Sequence, residues 1–570
     1  MNNSDFVDKT PSGRARRILS IIIRVLVAAV ISFVLYYLFL PPINVFSRRF
    51  WMYLFGVLLT FSVCFGAFNL KALKKLPRKG KKSNGLFSLL DRGLLSRISA
   101  ILVAIPLVVI LVGTIISSVA FNARKYAAVI TVNERDFETD MPETNEITNI
   151  ALMDTDSAIK LGDRKLGALS DVVSQYVVSN DYTQINYHGV PMKATHLEYD
   201  GFFKWLGNRS KGIPGYIMVN ALESTAEYYE IAEGIRYAQS GYFGDDLMRR
   251  IRFDYPTKIF DLDDVSFEID ENGNPFYCIS CYHPRVGLFG ARDVFELIIF
   301  NPIDGTSEIY AVEDVPQWVD IVFDGYLACD KYDWQGIYSG GFINSIIGNK
   351  GCKQTTDDFG YLMFDDDVWY FTGVTSITSD ASNIGFILSN ARTGEYRFYP
   401  VIGAEEHSAM SAAEGKVQEK EYVASFPSLV NISGVPTYIM MLKDANGLPR
   451  LYALVNVRQY GMVATGETQS EVIASYLRML QQSGVDTSGS QGNNKLNVEV
   501  KDIKFLNMQN ASYAYVTDTE GRVFRVEFNE LNEGIILLNA GDRLSITATE
   551  NPETGIFTVV EWEKTDEVTE

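Results

Sequence analysis

Histidine and cysteine are scarce in this chain, at 4 and 5 among 570 residues. His188, His196, His283 and His407 stand far apart with no HExxH or HxH grouping, so their spacing supports no imidazole metal centre. Cys278-Ile-Ser-Cys281 has redox or zinc spacing, but it falls in a predicted strand, where positions i and i+3 point to opposite faces. No second CxxC completes a zinc site. Also missing are GxSxG, GxxxxGK[ST] and a Rossmann glycine set, which leaves no esterase elbow, P-loop or dinucleotide fingerprint. Ser157-Ala-Ile-Lys160 has the SxxK form of penicillin-binding nucleophiles, yet neither KTG nor SxN accompanies it; Arg392-Thr393-Gly394 is only a cousin, in a hairpin turn. Asp357-Asp358 and Asp365-Asp366-Asp367 lack the spaced ligands and glycine turn of a calcium loop. We therefore expect no catalytic, cofactor-binding or metal residues and no cofactor.

Acidic residues are nearly missing from the first 121 positions, which hold 3 of the 70 Asp/Glu but 16 of the 51 Lys/Arg. The overall net charge of −19 is thus an average of two environments, about +13 before residue 122 and about −32 after it. A net acidic chain argues against non-specific nucleic-acid binding, and no nucleic-acid partner is expected, though an average over two such environments says little by itself. A hydrophobic content of 47% with 21% charged residues excludes a disordered chain.

The basic third contains three long apolar runs: Ile18 to Leu40, Trp51 to Leu70 and Ile98 to Phe121. Each is long enough for a helix to cross a hydrocarbon core about 30 Å thick. Arg14, Arg16 and Arg17 precede the first run, and Lys71, Lys74, Lys75, Arg78, Lys79, Lys81 and Lys82 follow the second. Only Arg48 and Arg49 lie between the first two runs. The positive-inside rule then places residues 1–17 and the 71–97 loop in the cytoplasm, and three crossings put everything after Phe121 outside. The expected localisation is a multi-pass cell-membrane protein, N-terminus cytoplasmic, with a lipid-bilayer partner. Its acidic exterior is expected to project away from anionic lipid.

After residue 121 short strands and turn signals dominate. Hairpin turns are predicted at 270–274, 302–305, 391–394, 444–447 and 519–521, where Gly follows Asp, Asn, Thr or Glu. Ala127 to Val132 reads as a first strand. A strand–turn–aromatic-strand pattern occurs at 295–311 and again at 384–400, and Gly-x-Pro-x-Tyr occurs at 212–216 and 434–438, which suggests duplicated hairpin modules. Helices are expected over Glu405 to Val417 and after the capping box Thr468-Gln-Ser-Glu471. Ser483 to Asn494 reads as a flexible linker. Five short strands over 496–563 fit a small closed barrel similar to an OB-fold.

Residues 404–463, an Ala-rich helix followed by strands with a Gly-containing turn, resemble the PepSY-type module found outside many bacterial membranes. Tyr255-Pro-Thr-Lys-Ile-Phe, Val315-Pro-Gln-Trp-Val-Asp and Ser382-Asn-Ile-Gly-Phe-Ile-Leu look like stretches of uncharacterised bacterial multi-pass membrane proteins with PepSY-like modules. That resemblance implies placement in the envelope and no particular chemistry.

The expected fold class is α+β: three N-terminal transmembrane helices, β-rich exterior modules and a C-terminal OB-like barrel. The domains read as a cytoplasmic tail 1–17, a membrane region 18–121, exterior modules over 122–335, a PepSY-like module 336–482, a linker 483–495 and a barrel 496–565. Cys329 and Cys352 flank a Gly/Asn-rich stretch outside the membrane, and a disulfide between them would restrain it. Tyr228, Tyr229, Trp318 and Trp334 are candidate contact positions. The expected function is a membrane-anchored binding or scaffold protein of the envelope, contacting other envelope proteins, with oligomerisation left open. The alternatives are an accessory subunit of a transport or export complex, and an envelope hydrolase.

Overall fold

The structure is a computed structural model that describes residues 13–65, 94–144, 152–356, 358–364, 366–377, 379–485, 495–508, 511–528, 533–550 and 555–565. The cations Lys71 to Lys82, most of the 483–495 linker, Asp357 and Asp365 lie outside the described residues.

Three apolar helices come first: α1 (Gly13–Phe39), α2 (Arg48–Cys64) and α3 (Leu94–Ile116). Within α1 and α3, Ile18–Phe39 (22 residues) and Ile98–Ile116 (19 residues) are long and apolar enough to cross a membrane. Most of their Ile, Leu, Val and Phe side chains stay uncovered, a surface that a soluble domain does not leave in water. The described part of α2 is 17 residues and packs against both neighbours. The apolar run to Phe121 is not one helix. α3 stops at Ile116, and Ser118 accepts the Ala120 N–H at 3.1 Å to cap a new helix, Val119–Ala127. The first strand therefore begins at Val132 and not at Ala127.

The chain beyond residue 151 repeats one layout four times. In the first module, a helix (Thr155–Gly167) is followed by strands Tyr176–Val178, Thr183–Tyr187, Val190–Tyr199, Ile213–Asn220 and Thr225–Ile235. The first two strands both pair with the third, at its far and near ends, and the third, fourth and fifth form a meander. The third module (helix Gly325–Tyr338, strands over 353–399) and the fourth (helix Glu406–Lys416, strands over 423–466) pair identically. In the second module (helix Leu247–Asp254, strands over 266–311) the first strand shrinks to one contact, Tyr282 N–H to Ile259 O at 2.7 Å.

An asparagine closes the fourth strand of every module. Asn220, Asn301 and Asn390 each accept a backbone N–H two residues on at 2.8–2.9 Å, and Asn456 accepts from Gln459 at 2.8 Å. The pattern shared by 295–311 and 384–400 is this fourth-to-fifth hairpin in modules two and three. The Gly-x-Pro-x-Tyr pair is not equivalent: Gly212 opens a fourth strand and Gly434 a third. The true counterpart of Ser433-Gly434-Val435-Pro436 is His188-Gly189-Val190-Pro191, and in both turns two successive residues have positive φ, 54° and 79° against 53° and 73°.

Helix Gly325–Tyr338 runs straight through the expected boundary at 335/336, so the third module begins near Gly325. Strand Val132–Glu134 adds to this module's sheet by parallel pairing with Tyr396–Phe398. The helices at Glu406–Lys416 and Gln469–Gln482 fall where expected, and Thr468 caps the second by accepting the Glu471 N–H at 3.2 Å. All five predicted hairpin turns join paired strands. At the C-terminus, strands Lys495–Met508, Ala511–Asp518, Val523–Phe528, Ile556–Lys564 and Arg543–Glu550 pair in that order, and the last returns to the first.

The modules do not stand off from the helices. The Ile43 N–H donates to Pro256 O at 2.6 Å, and Arg48 lies 5.4 Å over the Phe289 ring. Ser117 Oγ accepts the N–H groups of Leu288 and Phe289, both at 2.9 Å. Gly287 makes this approach (φ 62°), since a Cβ there would sit 2.6 Å from Ser117 Oγ. The end of α1, the start of α2 and the end of α3 thus all meet the 249–292 stretch, so the modules pack directly on the helix ends.

Candidate functional site

The modules touch in sequence, and the fourth returns to the first. Thr183 Oγ1 accepts the Phe267 N–H at 2.9 Å, Ser280 donates to Val322 O at 2.6 Å, and the Gly373 N–H donates to Glu406 Oε1 at 2.5 Å. Lys443 of the fourth module pairs with Asp154, the residue capping the first module's helix.

Among the described residues, several buried ionisable groups sit at these seams, Glu406 among them. Glu268 is fully buried and accepts the N–H groups of Asp320 (2.7 Å) and Ile321 (3.1 Å). Asp320 accepts the Asn186 N–H at 2.6 Å, so one carboxyl pair ties modules one, two and three. Burial pushes the Glu268 carboxyl up to about 8, and burial with the neighbouring Glu268 charge raises Asp320 as well. Lys193 is buried in the first module with Nζ 4.9 Å from the Tyr361 ring of the third and 3.4 Å from Thr155 Oγ1. Burial lowers its ammonium to about 8. The Glu268–Asp320 pair holds modules together, and neither Glu268, Asp320 nor Lys193 lines the two clefts described next.

The larger open cleft, about 500 Å³, is lined by Arg135, Asp140, Pro142, Met363, Phe364 and Arg397. Strand Val132–Glu134 places Arg135 at the rim, its backbone N–H bonded to Phe398 O at 2.9 Å. The Arg397 guanidinium lies 5.1 Å from the Phe364 ring and 4.6 Å from Trp369, with Glu395 at 2.8 Å. Arg135 is exposed and forms no ion pair among the described residues. An exposed guanidinium beside aromatic and methionine side chains can receive a carboxylate-bearing segment, the fork matching both oxygens. A second cleft of about 410 Å³ lies between Tyr37 at the end of α1 and Tyr199, Tyr242, Phe243 and Arg249.

The expected contact residues are engaged internally. Tyr229 stacks on Tyr216 at 5.3 Å, Trp318 packs on Phe276 at 5.1 Å and Trp334 on Tyr126 at 5.4 Å. Tyr228 covers Gly215 against the main core. All four are half-buried and belong to packing. Sequence reasoning missed Arg135 and Arg397 because single arginines carry no spacing signal.

Cys329 and Cys352 are free thiols, so the expected disulfide is not formed. Cys329 and Gly336 lie within helix Gly325–Tyr338, Gly340, Gly341, Asn349 and Gly351 lie in the turns around a short helix at Asn344–Gly348, and Cys352 bonds Ile337 O at 3.3 Å. Burial raises Cys281 and Cys329 to about 12, which keeps them protonated and unreactive. Non-reducing peptide mapping is expected to recover Cys329 and Cys352 alkylated as separate thiols; a linked peptide would refute the assignment. Ser157 is buried at the start of its helix with no hydrogen bond to its Oγ, while Lys160 is exposed and reaches the 444–447 turn, so SxxK forms no nucleophile–base pair. No group of three His, Cys, Asp or Glu among the described residues has metal-site geometry.

No protein-family model matches the chain, and no curated protein matches it in sequence.

Proposed function

We propose that the protein is a membrane-anchored binding or scaffold protein of the bacterial envelope, acting by protein–protein contact and not by catalysis. One observation carries this reading: three apolar helix ends are fixed to a ring of four modules, which makes the exterior a rigid platform at the membrane surface. The same arrangement supports three crossings with the N-terminus on the side opposite the modules, and the flanking cations Arg14, Arg16 and Arg17 favour that side as the cytoplasmic one. The end of α1, the start of α2 and the end of α3 lie on one side, as alternating crossings require. The helix-then-strands layout supports a PepSY-like reading of all four modules. The barrel's ring order, with Val523–Arg525 parallel to Ile556–Thr558, supports an OB-like one.

In this reading the Arg135 cleft receives an acidic segment of an envelope partner. Crosslinking followed by affinity purification of the full chain from native membranes is the test. Arg135→Glu is expected to deplete a specific partner at least about tenfold, equivalent to ~1.4 kcal/mol, with unchanged thermal unfolding. Identical captures by both forms would overturn the assignment of the cleft.

A further inference from the structure

Beside the end of α1 the exterior leaves large apolar side chains uncovered. Phe203 is 83% exposed, Leu206 50% and Phe243 59%. They are held outward by firm packing beneath: the buried Trp205 lies 5.8 Å from Phe243 and 5.3 Å from Tyr242. The patch is continuous with α1. Tyr242 and Phe243 share a cleft with Tyr37, Arg249 sits 4.2 Å over the Tyr37 ring, and Phe253 packs on Tyr36 at 5.6 Å. Leu38 and Phe39, exposed at the end of α1, continue the apolar surface.

Aromatic and leucine side chains around a membrane helix end, rimmed by arginine, have the composition of an interfacial belt. Arg209 lies 4.7 Å over Trp205 and 3.2 Å from Asp245, and Arg249 lies between the Tyr37 ring and Asp246, so two paired guanidinium groups stand at the edge of the patch. We infer that this face of the exterior, built on helix Phe202–Asn208 and the 242–243 turn, inserts into the outer leaflet and binds phospholipid headgroups. The inference rests on the membrane-anchored reading and extends it: the exterior touches lipid directly, beyond what the helices do. Insertion of this kind fixes the tilt of the exterior on the bilayer and so the direction in which the Arg135 cleft faces.

The test uses the full chain in vesicles of phosphatidylethanolamine and phosphatidylglycerol. The photoreactive residue p-benzoylphenylalanine replaces Phe203, Phe243, Leu38 or Tyr460 in turn, all exposed positions. Irradiation is expected to give phospholipid adducts by mass spectrometry at 203, 243 and 38, and none at 460. Adducts at 38 without adducts at 203 and 243 would overturn the inference and leave the membrane-anchored reading intact. Protein adducts at 203 and 243 in native membranes, in place of lipid, would assign the face to a partner and also overturn it. Absence of lipid at 38 would remove the membrane reading and the inference together.

Discussion

Glu268→Ala is expected to lower the free energy of unfolding by about 3–5 kcal/mol, among the largest effects of any single truncation in this chain. The side chain is fully buried, and its two oxygens are acceptors for the N–H groups of Asp320 and Ile321. Alanine leaves both donors buried without acceptors, at about 1–3 kcal/mol each, and adds a cavity. The damage spreads because Asp320 in turn holds Asn186 of the first module. Thermal unfolding of the full chain in detergent is the measurement; a change below ~1 kcal/mol would mean that the junction does not bind the modules.

The same carboxyl dictates a pH dependence. Burial raises Glu268 from 4.5 to about 8, so between those values the folded chain keeps a proton that the unfolded chain releases. Stability from this group is full below the unfolded value and is lost as pH rises through the folded one. Asp320 is raised in the same direction and adds to the slope. The melting temperature is therefore expected to fall from pH 5 to pH 8, and Glu268→Gln to reduce that slope, leaving the share due to Asp320, Glu406 and Asp333, which burial also raises. An unchanged slope in the glutamine variant would assign the titration elsewhere.

What the sequence made legible was local. Hairpins were readable because Asp, Asn and Gly decide a turn within four residues, as in Asp444, whose Oδ1 accepts from Asn446 and Leu448. The capping box at Thr468 was readable for the same reason. Helix Gly325–Tyr338 was not, because buried Lys331 and Gly336 interrupt its apolar face. A signal was nonetheless present: Asp324 caps it by accepting the N–H groups of Tyr326 and Leu327. The fourfold layout was hidden because strand pairing is non-local and tolerates different side chains. Asn220, Asn301, Asn390 and Asn456 mark it, each the last residue of the same hairpin position or just beyond it. The buried junction was illegible since Glu268 and Asp320 are 52 residues apart and look like any of 70 acids. The disulfide expectation failed because it placed Cys329 at the edge of a loop, whereas Cys329 lies inside helix Gly325–Tyr338.

Lys193→Met is expected to act in the opposite sense, stabilising the chain by about 2–3 kcal/mol near pH 7. Lys193 is buried with its ammonium lowered from 10.5 to about 8, so at neutral pH the fold holds a charge that burial disfavours. Its contacts are a ring 4.9 Å away and one hydroxyl at 3.4 Å, while the nearby Asp154 carboxylate is already paired with Lys443. Methionine fills a similar volume and keeps the contact with Tyr361. The sign is fixed by linkage: a base with a depressed folded value contributes stability above its unfolded value, and that stability is lost as pH falls through the folded one. The gain from Lys193→Met should therefore be greatest below pH 8 and vanish above about 10.5. A methionine variant that melts lower than wild type at pH 7 would show instead that the charge is held by attraction to Asp154 across the first and fourth modules. Lys193 would then be a clamp at the seam and not a cost to the fold.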